Sequence, residues 1–185
     1  MKVVAFVGSP RQDGNTARLV REFARAAREA GHEVKVVDVY RSEIRGCVHC
    51  DACKESAESI CAQEDDFTRL LPDLKEADCL VFGTPVYVGH VSGPLKCALD
   101  RFYCFLAADF TIRDIPGKAF ATVIVSGAPA HAFPEVNGWF DKWMGEMMKM
   151  KRLGSVLAGG MEGPDTVDEG HEAMRQAREL AAALG

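Results

Sequence analysis

The sequence predicts an α/β domain, a doubly wound parallel sheet of five strands flanked by five helices, and three observations carry that prediction. Apolar runs rich in β-branched residues alternate with helical patterns from end to end. Each run is short and almost continuously apolar, as in Val3-Val4-Ala5-Phe6-Val7 and Ala121-Thr122-Val123-Ile124-Val125, which suits strands covered on both faces. The chain has 185 residues, 48% of them hydrophobic, enough for one substantial core, so 1–185 reads as a single domain.

The elements follow in order. A strand from Lys2 to Val7 ends in a Gly-Ser-Pro turn and is too short for a signal segment or a membrane span. A helix starting near Asn15 puts Leu19, Phe23, Ala26 and Ala27 on one stripe and Arg18, Arg21, Arg25 and Arg28 on the other, then stops at Gly31, a typical left-handed cap. Strand two runs from Glu33 to Val39, strand three from Cys79 to Phe82, strand four from Ala119 to Ser126 and strand five from Gly154 to Gly159. The remaining helices start near Asp66, Gly93, Asn137 and Asp165. One stretch breaks the rhythm: about 41–65, after strand two, carries four cysteines where a connection of ~2–6 residues would suffice. Such an insertion has a task of its own.

The net charge of -5, with Lys and Arg spread along helical faces, lacks the basic footprint that neutralises phosphates, so neither nucleic acid nor a membrane is an expected partner. Seven cysteines, an odd count with no secretory segment, read as reduced thiols in a cytoplasmic protein.

Two loops carry the chemistry. Gly8-Ser9-Pro10-Arg11-Gln12-Asp13-Gly14-Asn15-Thr16 leads from strand one straight into a helix, where free backbone N–H groups and a partial positive charge favour a phosphate. Ser9 and Thr16 supply hydroxyls, Arg11 a charge, Gly14 close approach and Asn15 the helix start. Neither the three-glycine dinucleotide fingerprint nor the Gly-Lys-Ser/Thr ending of a P-loop is present, so the terminal monophosphate of FMN fits better than a pyrophosphate. A plain helix cap and turn would use the same residues. The second loop, Gly83-Thr84-Pro85-Val86-Tyr87-Val88-Gly89-His90-Val91-Ser92-Gly93-Pro94-Leu95-Lys96, leaves strand three at the same carboxyl edge, where ligands gather as strand order reverses. There Tyr87 can cover a flat ring, while Pro85 and Val86 offer apolar contact and N–H donors to its polar edge. Val88, Gly89 and Ser92 complete this ring-binding set. His90 reads equally as a site residue or a surface histidine, and Lys96 and Arg101 read most simply as cations on a solvated helix face.

Gly8-Ser9-Pro10-Arg11 with Gly14-Asn15-Thr16, and Thr84-Pro85-Val86-Tyr87 with Ser92-Gly93-Pro94-Leu95-Lys96 and Asp100-Arg101-Phe102, resemble the NADPH-dependent FMN reductase group of the flavodoxin-like proteins. The resemblance implies strand order 2-1-3-4-5, FMN held by both loops, and Ser126 and Gly127 as a third edge of its pocket. It also makes NAD(P)H a candidate electron donor.

Cys47, Cys50 and Cys53 stand at three-residue spacing, with Cys61 following. Three such thiolates wrap one corner of a compact cluster and a fourth closes the cubane. Zinc, which prefers two separated Cys-x-x-Cys pairs, and redox-active free thiols remain alternatives, and His49 is surplus to the set. Beside the FMN loops, this spacing and Asp65-Asp66-Phe67 resemble the iron–sulfur flavoproteins, which implies a [4Fe–4S] cluster on Cys47, Cys50, Cys53 and Cys61. Cys79, Cys97 and Cys104 lie on a strand and a helix and read as core residues.

Phe133 to Met150 carries two Trp and four Met, more apolar surface than one covering helix needs. That surplus points to a subunit interface, and the resemblance points to a homo-oligomer, dimer or tetramer. The expected function is electron transfer through FMN and the cluster to a small-molecule or protein partner. Its rivals are an NAD(P)H-dependent FMN or quinone reductase without a working cluster, and a thiol-responsive sensor module.

Overall fold

The computed structural model describes residues 1–185. Five parallel strands, β1 (Lys2–Val7), β2 (Glu33–Asp38), β3 (Cys79–Pro85), β4 (Ala119–Val125) and β5 (Lys151–Ala158), form one sheet in the order β2-β1-β3-β4-β5. Lys2 stands opposite Glu33 across β1 and β2, and Val3 opposite Cys79 across β1 and β3. The order reverses between β1 and β3, so the loops after these two strands open a crevice at the carboxyl edge.

Period-two alternation sorts the strand side chains onto two faces. Val3, Ala5 and Val7 join Cys79, Val81, Ala121, Val123 and Val125 beneath α1 (Asn15–Glu29) and α5 (Glu172–Ala182). Val4 and Phe6 join Leu80, Phe82, Phe120 and Ile124 beneath α2 (Asp66–Glu76), α3 (Gly93–Asp100) and α4 (Pro134–Phe140). Aromatic packing dominates this second face: Phe6 stacks on Phe82 at 5.6 Å between centroids and Phe82 on Phe140 at 5.3 Å, with Phe102 edge-on to Phe6 and Phe82. Such pairs add about 0.5–1.5 kcal/mol each beyond the area they bury. Gly83 permits the closest helix approach, since a Cβ there would lie 2.3 Å from Val20 Cγ2.

The predicted β1 and α1 coincide with the observed elements, and Gly31, at φ +89°, ends α1 as expected. Three starts differ. α4 begins at Pro134 rather than Asn137, because proline fits the first helical turn, and β5 begins at Lys151 rather than Gly154. α5 begins at Glu172, not near Asp165, with His171 Nδ1 accepting from Ala173 N–H as its cap. The intervening residues are tied to the site described below. α3 continues into a 3-10 turn, Arg101–Phe105, and α4 into a π-helical stretch, Asp141–Met147. Phe140, Met144, Met148 and Met150 are buried against the sheet, which accounts for most of the surplus in this segment; Trp143 and Met147 remain exposed. No helix is long and apolar enough to cross a membrane.

Candidate functional site

The crevice at the switch point is an open pocket of about 120 Å³, lined by residues from the loops after β1, β3, β4 and β5. Ser9, Arg11, Gly14, Asn15 and Thr16 line it from the first loop, Pro85, Val86 and Tyr87 from the second, and Ser126 and Gly127 from the third. The first turn of α1 has no side-chain cap and no acidic residue, which leaves its N–H groups and its positive dipole end to an anion. Gly8 N–H donates to Gly83 O at 2.7 Å, pinning the loop to β3. Ser9 Oγ accepts from Arg11 N–H at 3.2 Å. A Cβ on Gly14 would lie 2.8 Å from Arg11 Cβ, so only glycine lets this turn fold so tightly. These features fit a terminal phosphate.

Asn15 does a different job from direct phosphate contact. Its Nδ2 donates to Gly163 O at 2.7 Å and its Oδ1 accepts from Val167 N–H at 3.0 Å, fastening the loop after β5 over the pocket. Arg18 adds a bond to Val167 O. Met161, Gly163 and Pro164 therefore join the lining, which sequence reasoning did not anticipate. The signal was there: Gly159-Gly160 and Gly163-Pro164 follow a parallel strand, so they emerge at the same edge.

The ring loop also departs from expectation. Pro85 has no N–H, Val86 N–H donates to Val125 O at 2.8 Å, and Tyr87 N–H donates to His90 O at 2.9 Å, so these amides are not free donors. Tyr87 and His90 close a two-residue turn with positive φ at both Val88 (50°) and Gly89 (72°), the primed geometry of tight hairpins. A valine in that region is strained. Val88 is fully exposed and Gly89 half-buried at the tip of the turn, and Ser92 is fully buried, its N–H donating to Thr84 Oγ1 at 3.0 Å. None of these three lines the pocket. His90 packs edge-on to Trp139.

A second, narrow pocket of about 20 Å³ is lined by all four cysteines of the insertion, Cys47, Cys50, Cys53 and Cys61, together with Arg101, Tyr103 and Cys104. Its thiols are not gathered at the spacing of ligands around one ion; a cubane carries its thiolates at separate corners. His49 and Asp51 take positive φ, turning the chain between the cysteines, and His49 N–H lies 3.4 Å from Cys47 Sγ. His49 faces Tyr103.

Long cationic side chains hold this loop, which has no strand or helix of its own. Arg113 donates to the carbonyls of Cys53, Ser56 and Cys104, and Lys54 to those of Tyr103 and Leu106. Arg101 is not on a solvated face, as the helix pattern suggested. It is buried, paired with Asp65 at 2.5 Å, and its Nη2 donates to Cys61 Sγ at 3.1 Å. Lys96 does stay at the surface, paired with Asp100. Burial works against the Arg101 charge, but Asp65 and Cys61 more than offset it and hold its pKa above the ordinary arginine value. Burial also pushes the Cys79 and Cys104 thiols up to about 12. Both are core residues, as read from sequence, although Cys104 also forms part of the cysteine-pocket wall.

A parallel sheet in this order, with an uncapped helix start and an apolar loop meeting at its switch point, defines a flavodoxin-like fold. The chain belongs to the NADPH-dependent FMN reductase family, whose model matches residues 1–162. It is 41% identical over 121 residues to an iron–sulfur flavoprotein of Methanocaldococcus jannaschii, covering 65% of this chain and 61% of that protein. It is 35% identical over 127 residues to an iron–sulfur flavoprotein of Archaeoglobus fulgidus, covering 69% and 60%. The chain thus spans about three fifths of the length of these relatives. Its fold is similar to that of an FMN-dependent NADH-azoreductase of Bacillus anthracis in complex with FMN, at TM-score 0.69 and 14% identity over 100% of this chain and 99% of the other.

Proposed function

We propose that this chain is an electron-transfer flavoprotein that binds FMN at the switch-point pocket and a [4Fe–4S] cluster through Cys47, Cys50, Cys53 and Cys61. The observation that carries the reading is the presence of both pockets in one chain, one walled by an uncapped helix start and the other by four cysteines. The names of the iron–sulfur flavoprotein relatives support it. When bound, the flavin would store one or two electrons and the cluster would pass single electrons between it and an outside partner.

The chain's own residues supply position and environment. The first turn of α1 with Ser9, Arg11 and Thr16 would anchor the phosphate, and Tyr87, Pro85 and Val86 would flank the ring. Arg113 and Lys54 hold the cysteine loop in shape. No acid or base side chain is required. We place the protein in the cytoplasm, where its thiols stay reduced, as a homo-oligomer in contact with a small-molecule or protein redox partner; the exposed Trp143 and Met147 favour a subunit contact.

An anaerobic preparation assayed for FMN, iron and acid-labile sulfide should contain flavin, with iron and sulfide in equal amounts. Flavin without iron or sulfide removes the cluster from this reading. Quinone-linked oxidation of NAD(P)H that is unchanged by Cys50→Ser would instead favour a reductase that works without a cluster.

A further inference from the structure

We propose that Arg101 sets the reduction potential of the cluster on Cys47, Cys50, Cys53 and Cys61, acting through Cys61 to hold that potential above the value the four thiolates alone would give. The inference rests on the cluster reading above. Arginine is almost never fully buried unless it is paired, and here the side chain has 0% exposure, against 2% for its partner Asp65. Asp65 is not dedicated to Arg101. It also accepts from Phe67 and Thr68 N–H at the start of α2 and from Arg45 N–H.

The rest of the guanidinium is distributed in a telling way. Nη1 reaches Arg45 O at 2.9 Å, Nη2 reaches Thr68 Oγ1 at 3.3 Å and Cys61 Sγ at 3.1 Å, and Nε is buried with no acceptor. An arginine kept only to brace the fold would direct these donors at oxygens. Four of its bonds do go to oxygens of Asp65, Arg45 and Thr68, but one donor is placed on a thiol sulfur, and the side chain forms part of the wall of the cysteine pocket. Thiolate and sulfide sulfurs accept such bonds, so a cluster on these cysteines would keep an acceptor for Nη2 where the Cys61 thiol now stands. The other two cations of the region give their bonds to carbonyl oxygens, Lys54 to Tyr103 and Leu106, Arg113 to Cys53, Ser56 and Cys104, although Arg113 Nε is likewise buried without a partner. Arg101 is the cation that reaches a ligand sulfur.

An added electron increases the negative charge of a thiolate-bound cluster. A fixed cation and an N–H donor at a ligand sulfur favour that reduced form over the oxidised one, more strongly where water is excluded. Arginine does not lose its proton in proteins, so the bias persists over the whole working range of pH.

The test is an anaerobic redox titration of the loaded protein that follows the cluster signal and the flavin absorbance separately, in wild type, Arg101→Met, Arg101→Lys and Asp65→Asn. Arg101→Met should lower the cluster's equilibrium constant for reduction by about tenfold or more, which is 59 mV for a one-electron couple. Arg101→Lys, which keeps the charge but loses the fork of donors, should shift it less in the same direction. Asp65→Asn keeps the helix cap and removes the counter-charge, so it should shift the potential upward. The flavin couple should not move, because Arg101 is absent from its pocket. Opposite signs for the Arg101 and Asp65 variants distinguish tuning from bracing, since mere loosening would move both the same way. If Arg101→Met fails to load, the Arg101→Lys and Asp65→Asn pair decides the matter. Loaded variants with unchanged cluster potential, or with shifts of one sign, overturn the proposal and leave the cluster reading intact; wild-type protein without iron and sulfide overturns the cluster reading itself.

Discussion

Asn15 and Gly163, 148 residues apart in sequence, are joined by a 2.7 Å hydrogen bond that fastens the loop after β5 to the first turn of α1. With the bond from Val167 N–H to Asn15 Oδ1, a single amide side chain ties the loop after β5 to the α1 side of the pocket. Asn15→Ala removes both bonds, each worth about 1 kcal/mol. FMN affinity should fall by roughly tenfold, read by flavin fluorescence titration. Wild-type affinity in this variant would show that the loop takes no part in binding.

Glu22, nearly buried between α1 and α5, is held at a pKa of about 2 by hydrogen bonds from Arg25 and then Arg178. Its folded pKa lies below the ordinary 4.5. The stabilisation is therefore complete above that ordinary value and is lost as pH falls toward the folded pKa. Because both arginines are partly exposed, solvent screens the pair and the contribution is about 1 kcal/mol. Glu22→Gln should lower stability by that amount at neutral pH and converge with wild type in acid, as measured by urea unfolding across the pH range.

Gly83→Ala would drive a Cβ into Val20 Cγ2 at 2.3 Å and to 3.0 Å from Phe6 O. A loss of about 1–3 kcal/mol is expected from such overpacking. Adding Val20→Ala should recover part of it, and a double-mutant cycle with no coupling between the two would refute the contact.

The seven thiols should separate into classes on alkylation. In cluster-free native protein the exposed Cys47 and Cys50 should react first, while Cys79 and Cys104, buried and pushed up to about 12, should be labelled only on unfolding. Mass spectrometry of timed iodoacetamide quenches reads this directly, and early labelling of Cys79 would contradict the core packing.

Arg113→Ala should loosen the cysteine loop without unfolding the sheet, since its donors reach the carbonyls of Cys53, Ser56 and Cys104. Faster hydrogen exchange or proteolysis confined to residues near 47–61, with little change in the global unfolding midpoint, is the expected pattern.

The sheet was legible because its signals are local. Continuous apolar runs between turn residues mark β1 and β4, and Gly31 ends α1 through its own backbone freedom. The start of α5 was not, because Asp165 looks like a helix cap until Asn15 is known to hold Val167 from the far end of the chain. Arg101 was misread for a similar reason: helix periodicity sees its neighbours in sequence, whereas its environment is set by Asp65 and Cys61 on a separate loop. That the loops after β1 and β3 meet in one pocket was legible from composition and position in the fold. Which amides within them are free was not visible, since Val86 is engaged by β4.

The insertion between β2 and α2 owes its shape to side chains rooted elsewhere: Arg101, at the end of α3, and Arg113, in the segment leading to β4, both reach into it. It behaves as a plug whose socket is encoded some fifty residues downstream. Transplanting 41–65 alone into a related sheet would give a floppy thiol-rich appendage, and a working transplant would have to carry 101–113 with it. Length changes in the plug are tolerable to the sheet, whereas changes in the socket strike both the sheet and the cysteines at once.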